Sequence, residues 1–142
     1  MSMSFQEKSL WLSLAGLLLA FGGYFFSAYE TVLSPSAAKD VQPEQAGLFI
    51  AATVVLVTIL VAGHVVIALL DRRTETDERD RSIELRGGRY GSYVLATGVF
   101  LTLCTSLTAE GNAVMAHVLL GFWVIAQGVE IVSQLVMYRR GY

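Results

Sequence analysis

Four long apolar runs, at residues 10–28, 46–70, 90–107 and 113–137, restrict what this chain can fold into more than any motif in it. A bilayer core about 30 Å thick is crossed by roughly 20 residues of α-helix rising 1.5 Å each, and every run is close to that length. Inside lipid, backbone groups must be satisfied within their own segment or in a closed barrel, and these runs lack the alternation of barrel strands. The sequence therefore predicts an all-α membrane protein: four transmembrane helices in an antiparallel up-down bundle, one domain over residues 1–142. Composition points the same way, since 54% of the 142 residues are hydrophobic and 15% are charged. A soluble domain of this size cannot bury that much apolar surface. The first run is longer than the apolar core of a signal peptide, and no small-x-small cleavage site follows it, so it reads as a retained span.

The connections set the orientation. Ser34-Pro35 and Gln42-Pro43 bracket a polar stretch, and residues 108–112 have the composition of a tight turn. Lys8, the six arginines of the connection at 71–89, Arg139 and Arg140 all fall on one side of the predicted spans, and Lys39 alone falls on the other. Retained basic residues mark the cytoplasmic side, which predicts both termini and the charged connection inside. Trp11, Tyr24, Tyr29, Tyr90, Tyr93 and Tyr138 lie near predicted span ends, where interfacial aromatics belong, and Trp123 lies deeper, where it is expected to pack.

Several functions are disfavoured by what the chain carries. A formal net charge of -2 gives no electrostatic basis for nucleic-acid binding. Cys104 is the only cysteine, so dithiol chemistry has no pair to use, and no zinc-ligand motif is present. His64 and His117 are separated by about 14 residues in depth, or roughly 20 Å at 1.5 Å per residue, too far for one haem. No cofactor or metal is expected, and enzymatic activity has the least support.

The connection at 71–89 is the most distinctive segment, because its acids and bases interleave. Read as a helix, it places Asp77 with Arg81, Glu78 with Ser82 and Asp80 with Glu84 at i,i+4 spacing, with Thr74 or Thr76 available as a cap. Asp77, Glu78, Arg79, Asp80, Arg81, Arg86 and Arg89 then form a candidate docking surface for a protein partner or anionic headgroups, against the plainer reading of a solvated loop that fixes topology. Asp77-Glu78-Arg79-Asp80, then Ile83, Arg86, Arg89 and Tyr93, resembles the D-E-R-D-x-x-I motif of a family of small predicted bacterial membrane proteins of unknown function. The resemblance covers about 20 residues and extends loosely to the four-span layout; it implies a bacterial inner-membrane location. Gly87-Gly88 departs from the helix-favouring residues expected between the motif and the third span.

Ionisable groups within spans cost about 2.5–3.5 kcal/mol at a helix centre on insertion scales, so each is a functional candidate. His64 in the second span and Glu130 in the fourth lie at similar depth, and Gln127, Glu130 and Gln134 form a polar stripe expected to face other helices. A His64–Glu130 pair would serve as a proton-accepting site; interhelical hydrogen bonding, or a Glu130 reaching the headgroups, is the plainer alternative. His117 sits about one turn inside the outer end, within reach of Glu110 or Asn112. Small residues at Gly16-x-x-x-Ala20, Gly22-Gly23, Gly87-x-x-x-Gly91 and Gly121/Gly128 permit close helix approach, more often within a bundle than at a seam between copies.

Two functions follow. The first is a non-enzymatic interaction or regulatory subunit presenting the charged segment to a cytoplasmic or membrane protein partner. The second is a small oligomeric proton-coupled transporter using His64 and Glu130, in which a second copy of the chain is the partner.

Overall fold

The computed structural model describes residues 4–33, 39–70, 77–108 and 111–140, with side chains of the first segment described to residue 29. Four α-helices account for nearly all of it: α1 (Phe5–Leu33), α2 (Pro43–Leu70), α3 (Glu78–Ser106) and α4 (Ala113–Arg140). Thr74, Thr76 and Glu110, assigned capping or pairing roles from the sequence, lie outside the described residues.

Short polar signals start three of the helices. Ser4 and Glu7 cap α1 reciprocally: the Glu7 amide donates to Ser4 Oγ at 3.2 Å and the Ser4 amide to Glu7 Oε2 at 3.0 Å. Before α2, the Gln42 amide donates to Gln45 Oε1 at 3.0 Å, and Pro43 occupies the first helical position, where a missing N–H costs nothing. Asp77 caps α3, accepting from the Asp80 amide at 2.7 Å while Asp80 Oδ2 accepts from the Asp77 amide at 3.2 Å.

Three helices are long and apolar enough to cross a membrane: Phe5–Tyr29, Pro43–Leu70 and Ala113–Arg140. Large side chains such as Leu19, Phe26, Val61 and Leu69 stand exposed along them. In water such surface is a liability; in a bilayer it is simply solvated. This is the make-up of a multi-pass membrane protein.

The third run is different. Where the sequence places a connection over 71–89 and a span from 90, the helix begins about three turns earlier, at Glu78. Residues 78–89 are therefore rigid helix continuous with the apolar part, and the Gly87-Gly88 pair does not interrupt it. The reason is packing: a Cβ on Gly87 would overlap the Gln134 side chain, one on Gly91 would sit 3.0 Å from the Ala126 carbonyl oxygen, and one on Gly98 would overlap Phe122. These glycines let α3 lie against α4 in the most extensive interface of the fold.

The remaining interfaces join α1 to α2 and α1 to α4. Gly16 of α1 meets Ile59, Gly63 of α2 meets Leu12, and Phe21 stacks edge-on against Trp123 of α4 at 5.4 Å between ring centroids. Residue numbers rise along one helix as they fall along its neighbour, so all three pairs are antiparallel. The order of packing is thus α2, α1, α4, α3. The helix pairs form an open arrangement with a cleft between α2 and the α3–α4 pair. Of the expected small-residue contacts, Gly16, Gly87 and Gly91 lie inside interfaces, whereas Gly22, Gly23 and Gly128 face open space.

At the end opposite the chain termini, the polar stretch before α2 is tied to the turn before α4. Asn112 Oδ1 accepts from the Val41 amide at 2.8 Å, and the Ala113 amide donates to the Lys39 carbonyl at 3.1 Å. Gly111 makes this possible with φ +82, a backbone region that disfavours any side chain, and a Cβ there would overlap the Lys39 carbonyl.

Candidate functional site

Both histidines are held by α1. His64 Nδ1 lies 2.7 Å from the Leu60 carbonyl and its Nε2 lies 2.6 Å from Ser9 Oγ. His117 repeats the pattern, with Nδ1 at 2.7 Å from the Ala113 carbonyl and Nε2 at 3.0 Å from the Tyr24 hydroxyl. A carbonyl only accepts, so each Nδ1 carries a proton, and in the neutral ring each Nε2 accepts from the hydroxyl. Tyr24, read from the sequence as an interfacial aromatic, is 6% exposed and is the partner of His117, while the Asn112 side chain accepts from the Val41 amide.

Glu130 faces elsewhere. It packs over Gly88 and Gly91 of α3 and receives a long hydrogen bond from Gln134 Nε2 at 3.5 Å. The structure therefore does not join His64 to Glu130, since both imidazole nitrogens of His64 are engaged by α1 and by its own helix. Gln127 and Gln134 do face the bundle interior with Glu130, as the stripe implies.

The cleft contains two chambers. One opens at the end that gathers the helix starts of α1 and α3 and the end of α4. It has a volume of about 470 Å³ and is walled by Ser9, Ser13, Asp80, Glu84, Gln127 and Glu130 together with apolar residues of α1, α2 and α4. The other lies toward the Lys39–Asn112 end, has a volume of about 690 Å³, and is almost wholly apolar apart from Gln45, Thr53, Tyr24 and His117 at its edge. Leu56 and Trp123 line both chambers and stand between them.

On α3 the interleaved charges separate into two faces, except that Glu78 stays with the arginines. Asp80 and Glu84 turn toward the polar chamber, and Asp80 Oδ1 also accepts from the Tyr138 hydroxyl at 2.8 Å. Arg81, Arg86 and Arg89 point the other way and line a shallow exposed depression with Glu78, Ser82 and Leu85; Arg79 is exposed beside Arg86. Asp77, expected to pair with Arg81, serves instead as the helix cap. At the same end the Arg139 guanidinium sits 5.6 Å from the Trp11 ring centroid, fixing α1 to α4.

Sequence reasoning missed Ser9, Tyr24, Glu84 and the Leu56–Trp123 constriction. Ser9 and Tyr24 are polar groups in or beside an apolar run, which is a signal for a partner, but nothing in the spacing identifies which helix supplies it. Comparison with family models, with curated proteins and with solved structures finds no match to this chain.

Proposed function

We propose that this protein is a non-enzymatic accessory subunit of a bacterial inner membrane, crossing it four times with both termini inside, and that the cytoplasmic start of α3 is its docking element. The observation that carries this reading is the separation of charge on residues 78–89. A flexible loop would average its acids and bases, whereas a capped helix pinned by Tyr138 and by Gly87 holds Arg81, Arg86 and Arg89 on one exposed face. A rigid surface loses little conformational entropy when a partner binds, and three arginines on it favour an acidic protein surface.

The third helix is read as a span although its continuous apolar part is short. Its hydroxyls support that: Thr97 donates to the Tyr93 carbonyl at 2.9 Å and Thr102 to the Gly98 carbonyl at 2.8 Å, so the polar groups in the run are satisfied inside the helix. The basic count and the resemblance of Asp77–Asp80 and Ile83 to the D-E-R-D-x-x-I pattern support the orientation and the bacterial inner membrane. The proton-coupled transporter reading draws no support from His64 and Glu130, which have separate partners.

The test is photocrosslinking from position 85 in native membranes. A discrete crosslinked product is expected from the parent chain and its loss from the Arg81→Glu, Arg86→Glu, Arg89→Glu triple variant at unchanged expression. A product that survives the reversal, or no product at all, removes the docking assignment.

A further inference from the structure

We infer that the apolar chamber binds a neutral, lipid-soluble molecule built from a planar aromatic ring and a carbonyl oxygen. The chamber has a volume of about 690 Å³, in the range that holds a small organic molecule, and none of the described residues lining it is Lys, Arg, Asp or Glu. A charged ligand would leave water with no counter-charge to meet it, so the occupant is neutral.

The chamber holds a donor without an acceptor. Gln45, in the first turn of α2, is 6% exposed and lines the space. Its Oε1 takes the Gln42 amide at 3.0 Å, and because a backbone N–H only donates, that bond fixes which end of the side chain is oxygen. The Nε2 group is left with no partner among the described residues. No polar side-chain atom among those residues is both sealed from solvent and unpaired, so Nε2 reaches the small surface that Gln45 keeps, which is chamber wall. The nearby hydroxyls have already placed their protons: Tyr24 bonds His117 Nε2 at 3.0 Å, and Thr53 donates to the Phe49 carbonyl at 2.9 Å. An unmet donor in apolar surroundings costs free energy, and a ligand carbonyl removes that cost.

The walls decide the shape. Phe21, Tyr24, Phe49 and Trp123 all border the space, and Phe21 meets Trp123, Phe49 and Tyr24 with ring centroids 5.4, 6.3 and 6.4 Å apart. Tilted and edge-on arrangements of this kind extend favourably to one more ring. A flexible acyl chain gains no ring contact there and loses more conformational freedom on binding. The chamber lies toward the Lys39–Asn112 end, away from the arginine face, so its occupancy does not depend on the docking role.

The experiment irradiates the detergent-solubilised full chain with benzophenone, a neutral diaryl ketone that inserts into nearby C–H bonds, and maps the adducts by peptide mass spectrometry. A saturable adduct within residues 41–56 or 116–123 is expected. Fluorenone should displace it at about tenfold lower concentration than fluorene, which has the same rings and a methylene in place of the carbonyl. Dihexanoylphosphatidylcholine, which offers ester carbonyls on flexible chains, should not displace it. Gln45→Glu keeps an acceptor for the Gln42 amide but removes the donor, and should weaken labelling about tenfold. Ala46→Trp, at an exposed position on the chamber wall, fills the space without touching the Gln45 contact and should abolish labelling while the gel-filtration profile stays unchanged. Equal displacement by fluorene and fluorenone would show an apolar groove with no use for the amide, and displacement by the phospholipid would assign the space to the bilayer's own lipids. Either result, the lack of a saturable adduct, or labelling unchanged in both variants overturns the assignment.

Discussion

At the scale of single residues, the sharpest distinction in this fold is between glycines that are occupied by a neighbour and glycines that are not. Gly98 lies against the Cβ and Cγ of Phe122, atoms close to the α4 backbone that cannot swing away. Gly98→Ala is therefore expected to cost about 1–3 kcal/mol, read as an earlier midpoint on SDS titration of the protein in mild detergent. Gly22→Ala, with nothing within 4 Å of the new methyl, should leave that midpoint unchanged or raise it by up to about 1 kcal/mol. Equal effects at both positions would mean that α3 and α4 do not approach as described. A second residue-scale distinction concerns the two histidines, which share a bonding pattern but not an environment. Tyr24→Phe strips the only partner from a nitrogen of buried His117 and should cost about 1 kcal/mol or more. Ser9→Ala does the same to half-buried His64 near an open chamber, where water can replace the lost hydroxyl, and should cost under about 0.5 kcal/mol. Thermal shift of the two variants side by side checks the order, and a larger loss in Ser9→Ala contradicts it.

At the scale of elements, the question is why residues 78–89 form helix at all, since isolated charged segments of this length are marginal in water. The cap at Asp77 and continuity with the packed part of α3 supply the answer: a helix already nucleated at Gly91 and Gly98 needs only to propagate toward its start. Asp77→Ala removes the reciprocal cap, an effect of about 0.5–2 kcal/mol on caps of this kind, and should raise amide exchange over residues 78–83 while leaving residues 91–102 protected. Uniform protection in the variant would show that the extension is held by its tertiary contacts alone. The same element shows what could be read in advance. The apolar runs, their depths and the inward stripe of Gln127, Glu130 and Gln134 follow from residue type and helical period, and each is legible without knowing any neighbour. Sequence reading passes over the caps Asp77-x-x-Asp80 and Ser4-x-x-Glu7, the first in favour of Thr74 or Thr76, and Gly98 extends the Gly87–Gly91 pair that the small-residue pattern identifies. What spacing cannot give is the register between helices. Whether Glu130 meets His64 or the glycines of α3 depends on which helices are adjacent, and long apolar helices offer many arrangements of similar lipid exposure. The charge separation on α3 was hidden for a related reason: its faces are defined only once the helix is known to run unbroken through Gly87-Gly88.

At the scale of the whole molecule, the antiparallel contacts place Ser4, the end of α2, the cap of α3 and Arg140 at one end, and Lys39, Gly111 and Asn112 at the other. The stretch before α2 and the turn before α4 are tied to each other by specific contacts, so these two connections are expected to lie on the same side of a bilayer. Arg81, Arg86 and Arg89 add weight to one side, and no described basic residue except Lys39 resists from the other. The expected outcome is measurable with single cysteines in a Cys104→Ser background. A thiol at Ser82 should react with a membrane-impermeant maleimide only in inverted vesicles, and a thiol at Thr108, exposed just past the end of α3, only in intact cells. Ser82 is chosen because it lies in the exposed arginine depression and outside every interface, so its accessibility reports the side of the membrane and not the packing. Labelling of both positions from the same side would mean that α3 does not cross between them, leaving three spans and placing Ser4 and Arg140 in opposite compartments. Labelling on opposite sides fixes α3 as a span in spite of its modest hydropathy, because α3 is the only helix between residues 82 and 108.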